Sequence, residues 1–316
     1  MNKFPLVSIV TPSLNQSRYI RSTIESVLNQ DYPNLEYWVI DGGSNDGTVE
    51  ILKEYNGRIS WISKADNGQS EAINKGWMFS HGDILAWVNA DDLLMPSAIH
   101  HAVNALLADQ TIGAIYGNAS YINETNNFIQ AYPAHTFSYD TLVNNTENYI
   151  PQPSVFIRRN IIEAAGFLDE SLHYLMDYDL WLRIGLITSM KHLSIDMASL
   201  RLHSSAKTIN AMPKFANEFV RIYQKLFTNS SIPAHLTMQY LPIMHKVHVH
   251  AASFCFWGGM PSLAIKHLRN AWTLQPFPRN RTFWLLLAFS IFGKVGWRFA
   301  EFLHGNPMHL KRGILR

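Results

Sequence analysis

The chain has 316 residues, 47% of them hydrophobic, a formal net charge of +2 and one cysteine, Cys255. The hydrophobic share supports a sizeable core and argues against disorder, and the length suits two domains or one large domain with an appendage. So small a net charge makes no electrostatic case for a nucleic-acid partner, and a lone cysteine excludes an internal disulfide framework and fits a reducing compartment.

Met1 to Pro5 leads straight into an apolar strand without the apolar core of a signal peptide, so triplets such as Asn118 to Ser120 read as chance glycosylation matches. Leu6 to Thr11 is the first strand, followed by a loop at Pro12 to Ser17. Arg18 to Gln30 is predicted helical, with Ile20, Ile24, Val27 and Leu28 on one face. Leu35 to Ile40 is the next strand and Thr48 to Tyr55 the next helix; Ile59 to Ser63, Ser70 to Ser80 and Ile84 to Val88 continue the alternation. Such a series argues for an α/β fold, a mainly parallel sheet flanked by helices. Ligands of such sheets bind beyond the carboxyl ends of the strands. Here those ends carry Thr11-Pro12-Ser13, Asp41, Asp66 and Asp91, which would converge on one edge.

Asn89-Ala90-Asp91-Asp92 closes the strand at Ile84 to Val88. A carboxylate delivered there suits a hard divalent cation, Mg²⁺ or Mn²⁺, whose shell phosphate and water complete. The plainer reading is an Asp-rich turn capping the next helix. Asp41-Gly42-Gly43-Ser44-Asn45-Asp46-Gly47-Thr48 serves as a turn and cap through Asn45 or Asp46. Asp41 is not needed for that role, and the glycines beside it let a ligand approach the backbone closely.

Taken together, these strings resemble family 2 glycosyltransferases. The likeness runs from Val7-Ser8-Ile9-Val10-Thr11-Pro12-Ser13-Leu14-Asn15 through the Asp41 loop, Asp66-Asn67-Gly68-Gln69-Ser70 and Asn89-Ala90-Asp91-Asp92. Gln152-Pro153-Ser154-Val155-Phe156 and Met176-Asp177-Tyr178-Asp179 carry it to about residue 208. The resemblance implies a GT-A, Rossmann-like fold, a nucleotide-sugar donor with UDP as the expected nucleotide, and inversion at the anomeric carbon. It places Thr11, Pro12, Asn15, Asp41, Asp66, Gln69, Asn89, Ala90 and Asp91 around the nucleotide sugar. Asp91 corresponds to the metal-binding acid of a D-x-D motif whose first position is here Asn89, a neutral amide. Asp177 aligns with the acidic residue that deprotonates the acceptor hydroxyl, and Met176 stands where the family often has Glu. Asp179 caps, orients a neighbour or pairs with Arg183 four residues on, and it and Gln152 are assigned to the acceptor side. Arg201-Leu202-His203 is similar to the family's R-x-H segment, which makes His203 a second metal-ligand candidate, and Lys207 could neutralise diphosphate.

Ile122 to Pro151 shows no firm periodicity and reads as loops. Beyond Asn210 the pattern is helical: Phe215 to Phe227, Leu236 to Gly258, Pro261 to Gln275 and Arg281 to Leu303. One stretch near Gly259 to Pro276 is loosely like a single tetratricopeptide unit. His245, His248 and His250 lack acidic or cysteine partners and read as surface histidines. The apolar run Phe283 to Phe292 is too short to span a bilayer. The aromatic residues Trp297, Phe299, Phe302 and Leu303, with Arg298, Lys311, Arg312 and Arg316, suit core packing or a peripheral membrane contact.

The expected organisation is a catalytic domain over residues 1–210 and a helical region over 211–316. The expected activity is metal-assisted, inverting transfer of a sugar to a glycan or lipid-linked acceptor in polysaccharide biosynthesis. The expected location is the cytoplasm, including the cytoplasmic face of the inner membrane. The alternative is a catalytically silent nucleotide-sugar-binding or scaffold protein of the same fold.

Overall fold

The computed structural model describes residues 4–203, 212–278 and 280–304. Four strands, β1 (Val7–Ser13), β2 (Leu35–Asp41), β3 (Ser60–Ser63) and β4 (Ile84–Trp87), run parallel in the order β3-β2-β1-β4. Helices α1 (Ile20–Leu28), α2 (Thr48–Glu54) and α3 (Gln69–Phe79) connect them. Register sets Ser13 beside Asp41 and Asp41 beside Ser63, so three strand tips end in one polar row.

The sheet then becomes mixed. After β5 (Leu93–Leu94) and α4 (Ala98–Ala108), the long β6 (Ile112–Ile122) carries β7 (Phe128–Ala131) at its side. The segment expected to be loops thus holds a strand, β7, and a helix, α5 (Tyr139–Asn145). β8 (Phe156–Arg158) lies antiparallel between β4 and β6, and β9 (Ser189–Arg201) pairs with β6 and β5. Helices α6 (Arg159–Ala165) and α7 (Met176–Gly185) lie between β8 and β9 in the chain.

Packing fixes where these elements end. A methyl group on Gly76 would stand 2.5 Å from Val10 Cγ1, so glycine lets α3 lie directly on β1. Trp77 of α3 meets Trp87 of β4 edge-on at 5.4 Å, and Trp87 stacks on Trp181 of α7 at 5.5 Å. All three rings are buried. Aromatic pairs in these geometries add about 0.5–1.5 kcal/mol beyond their buried area, and the stack holds α7 against the strand that leads to Asp91.

The chain divides into two compact units, Met1–Phe137 with Asn148–Arg201 and Ser138–Glu147 with Leu202–Arg316. The second is helical: α5, α8 (Met212–Phe227), α9 (Ala234–Thr237), α10 (Tyr240–Trp257), α11 (Pro261–Leu274), α12 (Arg281–Ile291) and α13 (Gly293–His304). Two helices expected to be continuous are broken, one at Met238-Gln239 and one at Phe292, before Gly293 with its positive φ of 57°. The histidines of α10 are a correction. His245 and His248 are buried, not surface residues, and His248 Nδ1 lies 3.2 Å from Nδ1 of buried His267. His250 contacts the Thr146 hydroxyl at 2.8 Å. Polar spacing suggested solvent, but partners on α11 and after α5 supply the hydrogen bonds that make burial tolerable. Among the described residues no helix is long and apolar enough to cross a membrane.

Candidate active site

The first two loops at the strand tips are laced together. Asn15, in the left-handed region at φ 53°, donates its backbone N–H to Ser44 Oγ at 2.7 Å and accepts the Asn45 N–H on Oδ1 at 3.0 Å. Ser17 N–H donates to Asp46 at 2.9 Å, and Gln16 N–H to the Thr48 hydroxyl at 2.9 Å. Burial would raise the Asp46 carboxyl, but donors from Thr48 and Ser17 outweigh it and bring it down to about 2. Thr11 is buried with its hydroxyl 2.9 Å from that of Tyr37, and Pro12 is buried beside it.

Asp41 is fully buried at the tip of β2. Its carboxylate accepts from Gly43 N–H at 3.1 Å, Ser44 N–H at 2.9 Å, Ser44 Oγ at 2.5 Å and Ser63 Oγ at 2.7 Å. Four donors make burial of this charge tolerable. Asp66 stands next to it: a methyl on Gly42 would lie 3.0 Å from Asp66 Oδ2, so glycine keeps room for that carboxylate. Burial, then the charges of Glu71 and Asp41, push the Asp66 carboxyl up, against the pull of the Gly68 N–H.

The next cluster centres on Asn89. Its Oδ1 accepts from Gln69 Nε2 at 2.6 Å, and its Nδ2 donates to Asp92 Oδ2 at 3.0 Å and to Gln152 Oε1 at 3.2 Å. The amide oxygen of Asn89, at the first position of the D-x-D-like motif, is thus engaged by Gln69. Gln152 is buried and donates to the Trp87 carbonyl at 2.8 Å. Asp92 is buried too, and burial followed by the neighbouring Asp91 charge holds its carboxyl well above the usual range. Arg201 donates its backbone N–H to Asp92 Oδ1 at 2.9 Å and its Nε to the Asp91 carbonyl at 2.8 Å, while its guanidinium lies 5.0 Å over the Tyr19 ring. Thr23 Oγ1 donates to the Ala90 and Asp92 carbonyls at 2.9 and 2.8 Å. The backbone around Asp91 is therefore pinned from two sides, with its half-buried carboxylate at the strand tip.

Among the described residues no three His, Cys, Asp or Glu side chains are grouped as a metal cage. An oxygen donor at the strand tip instead fits a hard cation whose remaining ligands come from diphosphate and water. His203 belongs to the second unit and is 3% exposed. Lys207 lies outside the described residues.

Asp177 opens α7. Its Oδ1 accepts the Tyr178 N–H at 2.8 Å and its Oδ2 accepts from Asn148 Nδ2 at 3.0 Å. Asp179, on the next turn position, is buried and binds Arg183 Nε at 2.8 Å; Arg183 in turn donates to the carbonyls of Ala165, Gly166 and Phe167. That pairing seats α7 against the end of α6. The reading of residue types alone did not single out Ser44, Ser63, Thr23 or Asn148 as site residues. The two serines sit inside or beside the quoted loops and so carried a signal, whereas nothing local marks Asn148.

Comparison with known proteins follows the same outline. The sequence model for glycosyl transferase family 2 matches residues 8–166. An uncharacterized glycosyltransferase of Rickettsia typhi is 29% identical over 214 residues, 66% of this chain and 67% of that protein. The hyaluronan synthase of Pasteurella multocida is also 29% identical, over 233 residues, covering 72% of this chain but only 24% of the synthase. Among solved structures, S. aureus TarS 1–349 in complex with UDP-GlcNAc has a TM-score of 0.68 at 17% identity, covering 94% of this chain and 90% of that one. The mannosyltransferase PcManGT from Pyrobaculum calidifontis, in complex with GDP-Man and Mn²⁺, has a TM-score of 0.60 at 16% identity, covering 99% and 88%.

Proposed function

The chain belongs to glycosyl transferase family 2 and has the GT-A type of fold, and from that premise we propose that it transfers a hexose with inversion from a nucleotide-sugar donor, UDP-linked, to a hydroxyl of a glycan or lipid-linked acceptor. The observation that carries this reading is the placement of three carboxylates at or just beyond the ends of parallel strands, Asp41 on β2, Asp66 after β3 and Asp91 after β4, with Asp177 on a helix stacked against β4 through Trp181 and Trp87. Asp41 and Asp66, with Thr11, Pro12 and Asn15, form the nucleotide floor. Gln69, Asn89 and Ala90 position the backbone at Asp91.

Asp91 would hold a divalent cation, Mn²⁺ or Mg²⁺, which when bound neutralises the diphosphate. Asp177 takes the proton of the acceptor hydroxyl as its oxygen forms a bond to the anomeric carbon. The bond from that carbon to the diphosphate breaks, and its electron pair leaves with the diphosphate. TarS and PcManGT were each solved with a nucleotide sugar, which supports a donor of that class here. The curated relatives include a hyaluronan synthase and a chondroitin synthase, which supports a saccharide acceptor and work in polysaccharide assembly of the cell envelope.

The same reading puts the protein in the cytoplasm, at the face of the inner membrane. Its support is the surface of α12 and α13, where Trp284, Ile291, Phe292, Val295 and Phe299 are exposed and the chain also carries Lys294 and Arg298. Lys311, Arg312 and Arg316 lie outside the described residues.

The test is a panel of nucleotide sugars scored by thermal stabilisation with Mn²⁺, Mg²⁺ or chelator, since a ligand that binds the folded state raises its apparent stability. Acceptor-dependent release of nucleoside diphosphate should follow for the donor that stabilises most. Absence of stabilisation and of turnover with every donor would leave a silent scaffold instead.

A further inference from the structure

The segment from Asn148 to Gln152 touches both halves of the chemistry. Gln152 accepts from Asn89 at 3.2 Å, and Asn148 donates to Asp177 at 3.0 Å. Asn148 is itself fixed at both ends. Its side-chain oxygen accepts the Ile150 N–H at 3.2 Å, a local turn of the kind Asn favours. Its backbone carbonyl accepts the Tyr132 hydroxyl at 2.9 Å. The Ile150 bond settles which way the amide points: the oxygen is committed to the backbone, so the NH₂ faces the carboxylate.

We propose that Asn148 is a positioning residue for the transfer, fixing the plane of the Asp177 carboxylate so that one lone pair is presented to the acceptor hydroxyl. Asp177 is tethered on one oxygen by the Tyr178 N–H and on the other by the Asn148 amide, which defines its rotation about the side-chain axis. Bonds from a donor to an ionised group are the stronger kind. A base held in this way pays less to reach reacting geometry than one free to rotate. The proposal rests on the assignment of Asp177 as the base.

Two substitutions keep the turn to Ile150 while removing the donor: Asn148→Asp, isosteric but an acceptor, and Asn148→Ser, whose hydroxyl accepts from Ile150 but is too short to reach Asp177. Each should lower kcat about tenfold, with donor KM near that of the parent. Asn148→Ser should keep the thermal midpoint, whereas Asn148→Asp, which sets a second carboxylate about 3 Å from Asp177, should lower it. A double-mutant cycle supplies the decisive comparison. In an Asp177→Asn background, measured in single turnover at high enzyme concentration, Asn148→Ser should cost less than twofold more. An unchanged kcat in both single variants, or the same tenfold loss with Asp177 already replaced, overturns the proposal. If one variant fails to fold, the other decides. Near-parental turnover in Asp177→Asn alone would instead sink the base assignment, a separate result.

Discussion

Replacing Asn89 by Asp asks most of the network behind Asp91. The carboxylate keeps the bond from Gln69 but turns the contacts to Asp92 at 3.0 Å and Gln152 at 3.2 Å into oxygen against oxygen. One lost bond went to a charged partner and one to a neutral one, together roughly 3 kcal/mol. Two carboxylates about 3 Å apart repel by about 5 kcal/mol at an effective dielectric of about 20. The protein need not bear that sum, because one carboxyl can take up a proton. At pH 7 that costs a group of ordinary pKa about three pH units, roughly 4 kcal/mol, and less for Asp92, whose carboxyl burial already holds up; it restores one donated bond. Asn89→Asp should therefore be roughly 2–4 kcal/mol less stable than the parent at pH 7 in chelator. The sign with pH follows from the raised folded-state pKa: the native state takes the proton before the unfolded chain does, so the gap narrows as pH falls from 7 toward 4. Urea unfolding of parent and variant at several pH values measures it. Equal stability at pH 7, or a gap indifferent to pH, would show that the amide donors do not hold Asp92.

Three further outcomes are expected. Asp91→Ala should lose the metal-dependent part of the thermal stabilisation given by a nucleoside diphosphate while keeping the parental melting temperature without ligand; metal-dependent stabilisation equal to the parent's would remove Asp91 from the cation site. Gly42→Ala must displace the Asp66 carboxylate, 3.0 Å from the new methyl, and should weaken nucleotide binding roughly tenfold; titration calorimetry showing parental affinity would remove Asp66 from the nucleotide floor. Burial, then His267 and His245, bring the His248 imidazole down to about 4, so its contribution to stability is present above about 6.5 and lost as pH falls from there toward 4. His248→Leu should flatten that part of the urea midpoint against pH, and an unchanged slope would place the acid sensitivity elsewhere.

The acidic loops were legible because a parallel α/β alternation dictates where strands end: Asp41 closes its strand, and Asp66 and Asp91 follow theirs within four residues. Local pattern could not show that β8 inserts antiparallel between β4 and β6, since that pairing depends on partners more than 40 residues away in the chain. Asn148 escaped notice for the same reason: its partner, Asp177, lies 29 residues on. The histidines of α10 were misread because a polar residue on a helix signals solvent until its buried partner is known, and His267 is on the next helix. The break at Gly293 interrupts an apolar pattern that spacing alone would carry through.

The lacing of the first two loops bears on how such a protein could be re-engineered. Asn15 is bonded to Ser44 and Asn45, and Ser17 to Asp46, through side chain to backbone. A loop transplanted alone from another enzyme would arrive without its counterpart and leave these backbone groups unmatched. Grafts that carry residues 12–17 and 41–48 together should preserve the surface on which a donor base would rest, whereas single-loop chimaeras should not. The unit of exchange is the pair.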